Sequence, residues 1–238
     1  MHPFTRGDSP AFARFKARAA ALLAEHPGLV RLDCLNPVRA IRPAAPEARP
    51  PGLTLDAAWR HALAVRFTRC AHSTGVRQAL HDVLAAGRGP VALPVDVYPV
   101  YHRIAAAAGR PVVGYPTLPR FEVGAALVAD TVVVTAPLTP LGRDLTPDEV
   151  AVLCDWVRGA PGRLVVVDRV YDYANSPVVQ PLVDTDRAVL LYSLSKTHLA
   201  PLLAGLAVVP GEMGLPATPS PDADRAATLL AAHADLPA

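Results

Sequence analysis

Between residues 75 and 210 the chain repeats one pattern, a short aliphatic run followed by a stretch whose apolar residues recur at helical spacing. PVALPV, PVVGYP, DTVVVTAP, GRLVVVDRVY, RAVLLYSLSK and GLAVVP read as strands, and GVRQALHDVLAAG, YPVYHRIAAAAG and TPDEVAVLCDWVRG as helices. Strands alternating with helices predict an α/β fold with a mostly parallel sheet. VVVTA and LVVVD are apolar at every position, as expected when helices cover both faces of the sheet. One helix start is explicit: Thr146 as N-cap, Pro147 at N1 and Glu149 at N3 form a capping box. Upstream, residues 10–26 have helical spacing and stop at Pro27-Gly28, while the Pro/Arg-rich stretch 35–53 reads as an extended, irregular arm. The chain thus divides into a helix and arm (1–58), an α/β domain (59–212), and a short tail (213–238) holding one helical stretch, DRAATLLAAH.

In a parallel sheet, ligands bind outside the carboxyl ends of the strands. Those ends carry Asp168, the Thr135–Thr139 segment, and Ser193 to Lys196. Lys196 is unusual in this chain. Of 23 basic residues only Lys16 and Lys196 are lysines. A lysine amine can shed its proton when desolvated and attack a carbonyl, which a guanidinium does not do. Taken alone, that isolation fits a stray surface lysine as well as a nucleophile.

The bulk properties exclude several classes. A net charge of +2 gives no reason to expect nucleic acid or an acidic membrane as partner. Cys34, Cys70 and Cys154 are odd in number, far apart and without metal-ligand spacing, so they read as reduced thiols of a cytoplasmic protein with no metal. No apolar run reaches the ~18 residues of a membrane span. Charged residues Arg6, Asp8, Arg14 and Lys16 precede any long apolar block, which argues against a secretory signal.

Five segments, in order, then carry a resemblance: HSTGVRQAL, VDVYPVYHRIAAAAGRPVV, VVVTAPLTPLGRDLTPDEV, LVVVDRVY and YSLSKTHLAPLLAGLAVVP. The chain resembles the class I/II aminotransferases, fold-type I enzymes that use pyridoxal 5'-phosphate, and looks nearest to the histidinol-phosphate aminotransferase branch. The resemblance implies that residues 59–212 are the cofactor-binding large domain. It implies that Lys196 forms an imine with the cofactor aldehyde and then moves the substrate Cα proton. Asp168 aligns with the carboxylate that keeps the pyridine nitrogen protonated. Tyr171 aligns with the phenol on the ring oxygen, and Tyr98 with the aromatic that stacks on the ring, leaving Tyr101 as ordinary packing. Gly75, Val76 and Arg77 open a helix whose free amides suit the phosphate, and Ser193 adds a hydroxyl to the same group. A small-molecule amino acid or amine as substrate, and a homodimer, follow from the same resemblance.

The sequence also departs from the family. Where the family reads Asn-Pro-x-Asn-Pro-x-Gly, this chain has Ala136-Pro137-Leu138-Thr139-Pro140-Leu141-Gly142, so Thr139 takes the place of the Asn that touches the ring oxygen. The Arg expected about eight residues past the lysine to clamp the phosphate is replaced by Leu202, Leu203 and Ala204, with Arg77 as a substitute cation. The family continues well past the GLAVVP strand into a small domain that grips the substrate carboxylate, and most of that domain is expected to be missing. Three readings stand: an aminotransferase; a lyase, decarboxylase or cyclase of secondary metabolism on the same cofactor; and a non-catalytic domain that binds a partner.

Overall fold

The computed structural model describes residues 10–28 and 52–234; Cys34 and nearly all of the 35–53 arm lie outside the described residues. The chain forms two units, Met1–Arg42 and Pro43–Ala238. The described part of the first is helix α1 (Pro10–Glu25) and the turn after it at Pro27-Gly28.

The second unit runs α2 (Leu55–Ala62), β1 (Cys70–Ser73), α3 (Val76–Ala86), β2 (Val91–Pro94), α4 (Val100–Ala107), β3 (Val112–Tyr115) and α5 (Val123–Ala126). It continues β4 (Thr131–Thr135), α6 (Pro147–Arg158), β5 (Leu164–Asp168), α7 (Gln180–Val183), β6 (Ala188–Ser193), α8 (Leu194–Thr197), β7 (Gly205–Val208) and α9 (Ala223–Ala234). Among the described residues the strands make one seven-stranded sheet in the order β1-β7-β6-β5-β4-β2-β3. Every pairing among β2 to β6 is parallel; β7 alone runs against its neighbours β6 and β1. The expected α/β architecture, a mostly parallel sheet with helices, is what forms.

Local chemistry explains the boundaries. At α6 the Thr146 hydroxyl accepts from Glu149 N and the Glu149 carboxylate accepts from Thr146 N, both arms of the expected capping box. At α2, which the sequence pattern did not reveal, Thr54 Oγ1 accepts from Ala57 N. β1 was equally hidden, because CAHS carries no aliphatic run and takes its partners from β7. Arg110 ties the amino-terminal side of the sheet together. Its guanidinium donates to the carbonyls of Leu84 and Arg88 and to Thr131 Oγ1, which satisfies the end of α3 and the start of β4.

The strands β4, β5 and β6 are buried at every position, as the double-sided apolar pattern requires. Alternate residues (Val132, Val134, Val165, Val167, Leu190, Tyr192) point to one face, where Trp59 of α2 and Ala226, Ala227 and Leu230 of α9 complete the core. Residues 223–234, set apart by the sequence as part of a tail, thus lend an apolar face to the domain by packing on α2. Among the described residues no helix is long and apolar enough to cross a membrane.

Candidate active site

The strand order turns back at β2, which has β3 on one side and β4 on the other. Such a reversal opens a crevice at the carboxyl ends of the strands. The cleft found there is lined by Val97, Tyr98 and Tyr101 after β2, Thr135 at the end of β4 and Thr139 after it, and Asp168 at the end of β5 with Val170 and Tyr171 after it. Four of the residues singled out from sequence (Tyr98, Thr139, Asp168 and Tyr171) therefore share one cavity.

Asp168 is the chemically distinctive group in it. It is the last residue of β5 and only 2% exposed. Its Oδ1 accepts from Val170 N at 2.9 Å, and its Oδ2 accepts from the Tyr101 hydroxyl. Both donors are neutral, and among the described residues no cationic side chain pairs with it. Burial pushes its carboxyl up to about 6, while the two hydrogen bonds pull the other way. Tyr101, read from sequence as packing, is therefore a polar partner of the key carboxylate. Burial, then the adjacent carboxylate, holds its phenol well above the ordinary tyrosine range, so it remains a donor. The signal was its position, three residues after Tyr98, across the turn that leads into α4, from which both rings reach the cleft.

A second corner is built around the start of α3. Gly75 is its N-cap, and the amides of Val76 and Arg77 have no carbonyl in reach within the helix. Ser193, at the end of β6, places its hydroxyl 3.5 Å from where a Cβ on Gly75 would stand. Ser195 Oγ lies 3.1 Å from Ser193 Oγ, so a second hydroxyl, not singled out from sequence, joins this corner. Gly205 of β7 is packed against the same turn. A Cβ there would sit 2.7 Å from Gly75 Cα and 2.9 Å from Gly75 N, so only glycine fits without moving backbone.

Lys196 lies in α8, the single turn that follows Ser193, whose hydroxyl caps it by accepting from Ser195 N. Its Nζ is 5.9 Å from the centre of the Tyr171 ring, which relates the lysine to the Asp168 cleft, although Lys196 is not among the residues that line it. Burial raises the Tyr171 phenol, while the Arg77 guanidinium acts in the opposite sense. Arg77 also lies over the Tyr98 ring at 5.7 Å, so the helix-start corner and the cleft are joined by a cation–π contact. Thr139 N donates to Thr135 Oγ1 at 2.8 Å, which fixes the loop after β4.

Comparison with known proteins identifies the family and the fold. Residues 62–207 match the family "Aminotransferase class I and II". A histidinol-phosphate aminotransferase from Chlorobium luteolum is 26% identical over 167 residues, which cover 64% of this chain and 46% of that protein. A valine–pyruvate aminotransferase from Mycobacterium tuberculosis is 34% identical over 120 residues, covering 45% of this chain and 31% of that one. The chain thus spans less than half the length of these curated relatives. Among solved structures, the aspartate aminotransferase of Rhizobium meliloti superposes with a TM-score of 0.68 at 16% identity, covering 100% of this chain and 72% of that one. A C–S lyase from Staphylococcus hominis gives 0.63 at 13% identity, covering 82% and 56%. The matched family span takes in more than half of the 238 residues, and the chain belongs to the class I and II aminotransferases.

Proposed function

We propose that this chain binds pyridoxal 5'-phosphate in the Asp168 cleft and uses it to transform the amino group of a small amino acid or amine, as an aminotransferase. The observation that carries the reading is Asp168: a buried carboxylate at a strand end, bonded only by neutral donors, in a cleft whose Tyr171 ring lies 5.9 Å from Lys196 Nζ and whose Tyr98 ring lies 5.7 Å from the Arg77 guanidinium at the start of α3. A carboxylate offers about four acceptor positions, and the two bonds named leave room for a cationic N–H. The residues therefore fit this cofactor, whose pyridine nitrogen is a cation when protonated and whose phosphate suits helix amides.

When bound, the cofactor supplies an electron sink for charge developing at the substrate Cα. The chain's own residues divide the remaining work. Asp168 holds a proton on the pyridine nitrogen. Val76 and Arg77 amides, with the Ser193 and Ser195 hydroxyls, receive the phosphate. Tyr98 packs on the ring face, and Tyr171 and Thr139 address the ring oxygen, Thr139 with one hydroxyl where the family has an amide. Lys196 Nζ would hold the cofactor and would take and return the proton at the substrate Cα. The family's usual homodimer is part of the same proposal.

Titration of the purified chain with pyridoxal 5'-phosphate, read by the visible absorption of the bound chromophore, tests this. Saturable binding that is lost in Lys196→Ala, followed by a spectral change on adding an amino acid, is the expected result. Absence of saturable binding at millimolar cofactor contradicts it.

A further inference from the structure

At the β1 edge of the sheet, outside the cleft, three side chains of metal-ligating type meet. Cys70 and His72 are two apart on β1 and so share one face of the strand. Asp56 comes from the first turn of α2. One donor atom from each lies within 4.8 Å of the other two. Cys70 Sγ is 3.0 Å from Asp56 Oδ1, and His72 Nε2 is 3.9 Å from the same oxygen. All three residues are partly buried.

We propose that Asp56, Cys70 and His72 form a binding site for one divalent transition-metal ion of the zinc type, with a fourth coordination position left open. Metal–ligand bonds of about 2.0–2.3 Å in tetrahedral arrangement space the donor atoms roughly 3.3–3.7 Å apart. The distances of 3.0 and 3.9 Å lie on either side of that spacing and the third pair lies within 4.8 Å, so shifts on the order of 1 Å close the site.

The surroundings prepare the ligands. Asp56 Oδ2 accepts from Arg60 Nε at 2.8 Å, and Arg60 is itself held by the carbonyls of Phe67 and Thr68 and lies 4.6 Å from the Phe67 ring centre. One carboxylate oxygen is thereby anchored and the other is turned to Cys70 and His72, an outer-shell arrangement that orients a ligand. The His72 ring turns its Nε2, not the buried and unpartnered Nδ1, toward the Asp56 carboxylate.

The donor set also selects the ion. Thiolate, imidazole and one carboxylate suit zinc and its neighbours, whereas magnesium and calcium require oxygen ligands. The Cys70 thiol donates to Asp56 Oδ1, so its sulfur carries a proton in the metal-free chain. Binding breaks that S–H bond, forms the metal–sulfur bond and releases one proton to solvent, with no change of oxidation state. The ion would clip α2 to the edge strand. Linear spacing hid the site: a lone Cys-x-His and an Asp fourteen residues upstream match no metal motif, and the sequence reading had no metal here.

Cobalt(II) titration of the chelator-stripped full chain is the test. The expected result is one equivalent bound with a sulfur-to-cobalt charge-transfer band, visible bands of tetrahedral intensity, one proton released, and displacement by zinc. Cys70→Ser should abolish the charge-transfer band, and His72→Ala and Asp56→Asn should each weaken binding at least tenfold, as second-shell or ligand losses do. Cys154→Ser, remote from the cluster, should leave the band intact. Because a variant of the edge strand can misfold, zinc protection of Cys70 from alkylation in the unaltered chain gives an independent reading. Absence of cobalt binding, a band that persists in Cys70→Ser, or alkylation of Cys70 at an unchanged rate with zinc present would each overturn the proposal.

Discussion

Asp168 and Arg169 are consecutive, equally buried at 2% and 1% exposure, and opposite in charge, yet the fold treats them in opposite ways. Arg169 is met from within the chain. Its Nε and Nη2 donate to Asp172 Oδ2, its Nη2 also donates to Ser176 O at 2.7 Å, and the guanidinium lies 5.8 Å from the Tyr192 ring centre. Only Nη1 is left without a partner. It lines a separate hollow with Trp59, Asp172 and Tyr192. Asp168 has two neutral donors and, among the described residues, no cation. A charge answered by its own chain is architecture; a charge of equal burial left without a counter-ion is where, on our proposal, the ligand's cation would sit.

The contrast can be tested by removing each side in turn. The largest effect is expected at the closed pair. Arg169→Ala leaves Asp172 charged and buried, and should cost about 3–5 kcal/mol in equilibrium denaturation. Replacing Arg169 and Asp172 together by apolar residues of similar size should recover most of that loss. A loss below about 1 kcal/mol in the single variant would mean that the pair is not the closed unit described.

The open side should reveal itself through pH. In the unfolded chain Asp168 titrates near the ordinary 3.8, and in the folded chain near 6. Between those values the native state binds the extra proton, so this group's contribution is fully favourable below about pH 4. It is lost as pH rises through about 6, and a shift of this size corresponds to about 3 kcal/mol. Asp168→Asn should remove this component, so that the variant gains on the parent as pH increases from 4 to 7. Parallel stability–pH curves for the two proteins would contradict the assignment.

Smaller effects follow. Tyr101→Phe removes the hydroxyl that steadies the Asp168 carboxylate, so the Asp168 pKa should rise further and stability at neutral pH should fall by about 1–3 kcal/mol. The smallest stability change belongs to Arg77→Ala, an exposed substitution expected within about 0.5 kcal/mol. The same variant should weaken binding of pyridoxal 5'-phosphate roughly tenfold, since a charge-assisted contact is worth about 1.5–3 kcal/mol. Unchanged affinity would remove Arg77 as substitute for the missing phosphate arginine.

Much of this was legible because the sheet is buried on both faces. LVVVD and AVLLYS announce strands without reference to their neighbours, and their ends point to Asp168 and Ser193. CAHS did not, since an edge strand of mixed polarity is defined by its pairing with β7. α9 was visible as a helix, but its place in the core depends on contact with α2, some 160 residues away, which no local pattern encodes. The same holds within the site. Tyr98 and Tyr101 look alike in sequence, and only the structure separates a ring 37% exposed beneath Arg77 from a buried hydroxyl on Asp168. The Asp56–Cys70–His72 cluster is a product of folding alone.

The account rests on Asp168 as a buried carboxylate that receives its cation from the ligand. Its carboxyl carbon can be followed by carbon-13 NMR through a pH titration of the full chain, with Asp168→Asn assigning the signal, before and after saturation with pyridoxal 5'-phosphate. The result expected is a carboxyl that titrates near 6 in the free protein and well below its ordinary 3.8 once a pyridinium is beside it. A carboxyl that titrates at the same pH with and without the cofactor would contradict the account.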